Sequence, residues 1–165
     1  MHPPTPPQLQ MQRLALVLKV FAPVFLVVAA LHLVLGINAD AILGAKVNAA
    51  TVTEPSLSSQ NRFYGVAFAL YGAVLWLCAE DLRAYKAFFR AAMVVFFLAG
   101  LARLVPWVLY GAPAPLVVAL TASELIIPPL LLIWHARLER LRIDRKGPDQ
   151  DLTSLGLALR HRPDI

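Results

Sequence analysis

Cysteine is almost absent from this 165-residue chain, and Cys78 stands alone. One thiol excludes an internal disulfide and a thiolate metal cluster. Charge is scarce too: Asp, Glu, Lys and Arg make up 15% of residues, against about a quarter in a soluble domain. The common catalytic signatures are also missing. There is no His-Glu-x-x-His zinc helix, Gly-x-Ser-x-Gly elbow, phosphate loop or Gly-x-Gly-x-x-Gly turn. A metal would find His32 with Glu124 and little else, too few ligands for a site. No metal and no cofactor is therefore expected.

What is present in excess is apolar sequence, 59% of residues with a mean hydropathy of +0.65. It is gathered into four runs, about 14–36, 62–79, 87–111 and 114–135. Each meets the roughly 17 to 25 residues that a helix needs to cross a hydrocarbon core. Backbone groups in lipid must be satisfied within the segment, so the runs are expected to be helices. The predicted fold is an all-α integral membrane protein, a four-transmembrane-helix up-down bundle over residues 14–136. The net charge of +5 sits beside the apolar runs, which is the pattern of membrane orientation and not of nucleic-acid binding. Arg13, Lys19, Arg83, Lys86, Arg90 and the tail arginines fall on one side, Lys46 and Arg62 on the other. Both termini are predicted to be cytoplasmic, in an inner (plasma) membrane. A cleaved signal peptide competes for the first run, which is too long for the usual apolar region of about 7 to 15 residues.

Outside the runs, residues 1–13 read as a disordered Pro-rich start, and 137–165 as a basic cytoplasmic tail. Arg137 to Lys146 is expected to extend the fourth helix, and the segment after Gly147-Pro148 to be a mobile polar end. The connection 37–61 is long and polar, and either carries a short helix or caps the bundle. Gly111-Ala112-Pro113-Ala114-Pro115 is so tight that spans three and four must be antiparallel neighbours.

That turn sets the depth of two charges. At 1.5 Å per residue, Arg103 lies about 12 Å along its helix from Gly111, and Glu124 about 15 Å from Ala114. The two are expected to meet as an ion pair, which offsets the roughly 2.5 to 3.5 kcal/mol that a lone arginine costs at mid-depth. His32, Asn61 and Arg62 fall on the same outer side, so five polar groups are expected to converge there. Small residues mark the packed faces: Ala15, Ala22, Ala29 and Gly36 every seven in span one, and Asn61, Gly65, Ala69 and Ala73 every four in span two, with Gly72 beside them. Gly100 and Trp107 share a stripe with Arg103, and Thr121 and Pro128 share one with Glu124.

Each of these residues has two readings. Arg103 and Glu124 either fix the register of two helices or line a pocket for a headgroup, an anion or a proton. One carboxylate facing two arginines would leave a positive excess. His32 is a hydrogen-bonded interior histidine or a proton relay, and Asn61-Arg62 is a helix start or part of the site. Trp76, Trp107, Trp134, Tyr64, Tyr71 and Tyr110 read mostly as an interfacial aromatic belt.

Asn61-Arg62-Phe63-Tyr64-Gly65, Gly100-Leu101-Ala102-Arg103, Gly111-Ala112-Pro113 and Glu124 together resemble the DUF4345 family over roughly residues 14 to 136. That resemblance implies a small bacterial four-helix membrane protein and draws attention to Arg62, Arg103 and Glu124; it implies no substrate. The functional expectation is a membrane protein that binds a lipid-like or acidic or carbonyl-bearing ligand, or serves as an accessory subunit. Its expected partners are membrane lipid, a lipid-like small molecule, and a second copy or a larger membrane complex. An isomerase-like enzyme using Glu124 or His32 for proton transfer, or a small transporter or channel subunit, is the alternative.

Overall fold

The computed structural model describes the backbone of residues 6–160 and the side chains of residues 8–141. Six helices follow one another: α1 (Pro6–Leu35), α2 (Asn38–Ile42), α3 (Ala49–Thr53), α4 (Pro55–Glu80), α5 (Lys86–Tyr110) and α6 (Pro115–Arg160). Four contain segments long and apolar enough to cross a membrane: Gln8–Leu35, Pro55–Glu80, Lys86–Tyr110 and Pro115–Leu141. Each of the four packs on the next and α6 closes back on α1, an up-down-up-down ring. The pairs α1/α4 and α5/α6 are the closest. Outward faces carry bare apolar side chains such as Leu70, Val108 and Phe63. Water would not tolerate that surface over four helices.

The helix boundaries differ from expectation in three places. α1 starts at Pro6, inside the stretch expected to be disordered, because Pro6 and Pro7 occupy the first turn, where a missing N–H costs nothing; residues 1–5 lie outside the described residues. α4 starts at Pro55, seven residues before Arg62, because Glu54 caps it: its carboxylate accepts from the Leu57 amide at 2.5 Å and Pro55 supplies a helical φ. α6 continues past Gly147-Pro148 to Arg160, where a mobile end was expected. Proline's own φ is helical, and the preceding glycine lacks the Cβ that usually clashes with the ring.

A carboxylate stands at each end of α4, Glu54 capping its start and Asp81 holding the turn that follows it. The amides of Leu57 and then Ser56 hold the Glu54 carboxyl below its ordinary range, and those of Ala84 and then Arg83 do the same for Asp81. A depressed folded value means the cap is present above the unfolded carboxylate range, near pH 4, and is lost as pH falls through the folded value. Glu54→Ala is therefore expected to speed hydrogen exchange of the Ser56 and Leu57 amides at neutral pH. Wild-type protein should converge on the variant in acid, and equal exchange at neutral pH would discount the cap.

The apolar core lies toward the terminal end of the bundle: Leu14, Leu18 and Ala22 of α1, Leu75 and Cys78 of α4, Phe89 and Met93 of α5, Leu131 and Leu138 of α6. Mid-bundle, Phe25, Tyr71 and Phe96 stack across three helices at centroid distances of 4.6 to 5.6 Å. Tyr71 also donates to the Ala92 carbonyl at 2.9 Å, so it ties α4 to α5 and leaves the aromatic belt without it. Beside it, Ala67, Leu70, Val74, Phe88 and Ala91 line an open lateral groove between α4 and α5 of about 330 Å³.

Backbones approach closely where side chains vanish. A Cβ on Gly65 would lie 3.0 Å from the Ala29 carbonyl oxygen, and one on Gly72 3.0 Å from that of Ala22. The packed stripe of α4 is therefore Asn61, Gly65, Gly72 and Leu75, whereas Ala73 faces outward. A strict row of every fourth residue drifts by about 40° per step, so it leaves the contact face within three steps. A spacing of seven does not.

Candidate functional site

Gly100 brings α5 against α6: a Cβ there would lie 2.9 Å from Glu124 Cβ. One turn further along α5, Arg103 Nε donates to Glu124 Oε2 at 2.7 Å, the contact that counting depth from the turn had placed. Thr121, Glu124 and Pro128 form the buried stripe of α6. Pro128 carries no N–H, so the Glu124 carbonyl has no helical donor four residues on. The two partners are unequally covered, at 8% side-chain exposure for Glu124 and 36% for Arg103. The carboxylate is fixed inside; the guanidinium reaches outward from it.

The other three residues do not join that pair. His32 and Asn61 meet Asp40, which sequence reasoning missed. His32 Nε2 lies 3.5 Å from Asp40 Oδ1, and Asn61 Nδ2 donates to Asp40 Oδ2 at 2.5 Å. His32 Nδ1 lies 2.8 Å from the Val28 carbonyl. A carbonyl has no proton to give, so Nδ1 carries one. Arg62 donates from Nη1 to the Leu33 carbonyl in the last turn of α1, a cation on the negative end of a helix. No hydrogen bond or ion pair among the described residues links this group to Arg103 and Glu124. Asp40 also removes the positive excess expected of two arginines and one carboxylate.

The polar residues of this end thus form the Arg103–Glu124 pair and a separate His32–Asp40–Asn61 group, with Arg62 on the end of α1. Gly36, at φ +57°, ends α1, and α2 then carries Asp40 back over the end of the bundle. Beyond α2, Gly44, at φ +95°, touches the head of α6: a Cβ there would lie 2.7 Å from Ala114 Cβ. The connection 37–54 is therefore a cap, one of its two expected forms, and it carries two short helices. Asn61, 6% exposed, leaves its Oδ1 without a partner. A buried acceptor left unmet costs about 1 to 3 kcal/mol.

The terminal half is less purely apolar than its sequence implied. His135, which reads as the last residue of a span, is 1% exposed, stacks 5.0 Å from Phe89 and leaves Nε2 without a partner. The charges around this end pair off, Lys19 with Glu80 at 2.9 Å and Arg90 with Glu139 at 3.1 Å. A cleft of about 650 Å³ between α1 and the α4–α5 connection is lined by Gln12, Ala15, Glu80, Asp81 and Arg83, remote from Arg103. No group of three or more His, Cys, Asp or Glu side chains able to hold a metal occurs among the described residues.

A family model described as a domain of unknown function (DUF4345) matches residues 13–135, most of the chain. The chain belongs to that family. No curated protein and no solved structure matches it.

Proposed function

We propose, for this member of a family whose description carries no activity, a multi-pass inner-membrane binding protein with both termini cytoplasmic. Its ligand is amphipathic, with an acidic or carbonyl head received by Arg103 in the outer half of the bundle. The observation that carries this reading is how Arg103 is used. Glu124 takes only its Nε, at 2.7 Å, and among the described residues nothing accepts from its Nη nitrogens. A guanidinium presents a planar fork matched to carboxylate and phosphate oxygens, and here one edge is anchored while the other is free.

The apolar part of the ligand has a place beside that fork. Leu104, Val105, Val108 and Leu109 form a shallow apolar groove of about 320 Å³ that begins at the residue after Arg103. Membrane lipid is the first partner this surface fits, and a second copy or a larger membrane complex would bind over the same bare faces. The enzyme reading is less favoured, as the ring nitrogens of His32 face the Val28 carbonyl and Asp40, and Glu124 is paired with Arg103. The transporter reading is less favoured, as the Leu14–Leu18–Leu75–Phe89 core packs the terminal half.

Native mass spectrometry of full-length protein released from membranes in mild detergent tests the proposal. Wild type is expected to retain a lipid-like adduct that Arg103→Gln loses, since glutamine reaches Glu124 but lacks the fork. Identical adducts in both proteins, or none in wild type, would discard it.

A further inference from the structure

The geometry points to a proton-operated latch on the cap: His32 holds Asp40 while the imidazole carries both protons, and releases it when Nε2 loses its own. This stands apart from whatever Arg103 binds. Nδ1 is committed to the Val28 carbonyl at 2.8 Å, so the second proton can leave only from Nε2. Nε2 faces Asp40 Oδ1 at 3.5 Å, an ion-pair distance longer than a good hydrogen bond. Protonated, Nε2 attracts the carboxylate; neutral, it turns a lone pair toward a negative oxygen. One proton therefore changes the sign of the contact.

The surroundings leave that proton in control. His32 is 5% exposed at its side chain and Asp40 37%, so the pair exchanges with solvent from the Asp40 side. On α1 no other ionisable residue follows Lys19. From α4, Asn61 donates to the second Asp40 oxygen in the closed state, and the Arg62 guanidinium is bonded to the neighbouring Leu33 carbonyl. From α6, which also packs on α1, the buried charge is Glu124, already held by Arg103. The closed state also retains the unmet Asn61 Oδ1, so it holds against a built-in cost.

Two glycines flank the part of the connection that the latch holds. Gly36 and Gly44, at φ +57° and +95°, bracket α2 with backbone that other residues rarely adopt. Between them Asp40 is the one side chain of α2 that bonds to the transmembrane helices, and its partners are His32 of α1 and Asn61 of α4. The latch is closed while His32 is doubly protonated and Asp40 ionised. It opens as pH rises past the loss of the Nε2 proton.

Hydrogen exchange of the full-length protein in nanodiscs, corrected for intrinsic rates, reads the latch at about pH 5.5 and about pH 8.5. Peptides covering residues 37–54 are expected to exchange roughly tenfold faster at the higher pH, with residues 66–80 of α4 unchanged. Asp40→Asn keeps the shape without the charge and is expected to abolish the pH response; His32→Gln is expected to do the same. A wild-type cap equally protected, or equally open, at both pH values overturns the latch, and so does a full pH response in Asp40→Asn. The wild-type comparison decides even where a variant fails to fold.

Discussion

Glu124→Leu is expected to destabilise the protein more than Arg103→Leu, and the double variant to recover most of the difference. Glu124 sits at 8% side-chain exposure against Arg103 Nε at 2.7 Å. Removing either partner of a fully buried pair costs about 3 to 5 kcal/mol. The 36% exposure of Arg103 lowers that, so about 2 kcal/mol is expected for Glu124→Leu. The order follows from proton chemistry: an arginine cannot shed its charge, whereas an abandoned Glu124 can take up a proton and become neutral. Thermal unfolding in one detergent checks it. A double variant as unstable as Glu124→Leu alone would show that the pair contributes nothing as a pair.

Gly65→Leu should cost more still. A Cβ there would meet the Ala29 carbonyl oxygen at 3.0 Å and the Leu33 amide nitrogen at 3.1 Å, both backbone atoms that cannot rotate aside. Overpacking in a tight interface typically costs about 1 to 3 kcal/mol, and here relief requires separating α1 from α4, so at least the upper end is expected. Ala73→Leu, two turns along the same helix but facing outward, should change stability by less than about 0.5 kcal/mol. The pair measured together separates a steric effect at the α1/α4 seam from a general cost of added bulk. Equal melting shifts would move the seam elsewhere.

The sequence carried the membrane-spanning helices and the Arg103–Glu124 contact because both follow from quantities fixed by the helix. Rise per residue converts position into depth, and a four-residue turn leaves α5 and α6 no choice of neighbour. What it did not carry is what depends on the path of a connection. Asp40 lies between spans, where no periodicity tells which way a side chain turns. The one cue was a lone acid eight residues after His32, just beyond Gly36. Without Asp40, His32, Asn61 and Arg62 had no reason to be assigned anywhere but to the deeper pair. Arg62 went to the Leu33 carbonyl because a helix end offers acceptors that a count of charges does not show. Glu54-Pro55 was a readable helix start, masked by the serines that follow it. His135 was counted as a span end, although α6 carries it on and packs it against Phe89.

The tight turn also bears on how the chain is made. Residues 111–114 alone separate α5 from α6, too few for one helix to settle in lipid while the other waits outside. The two are expected to insert as a hairpin. Arg103 and Glu124 then reach the bilayer already opposite each other, so neither charge is presented to hydrocarbon singly. A longer linker at Gly111 would leave the finished contact intact and still expose Arg103 alone during synthesis, and the loss would appear in the yield of inserted protein while the protein that did insert kept its stability.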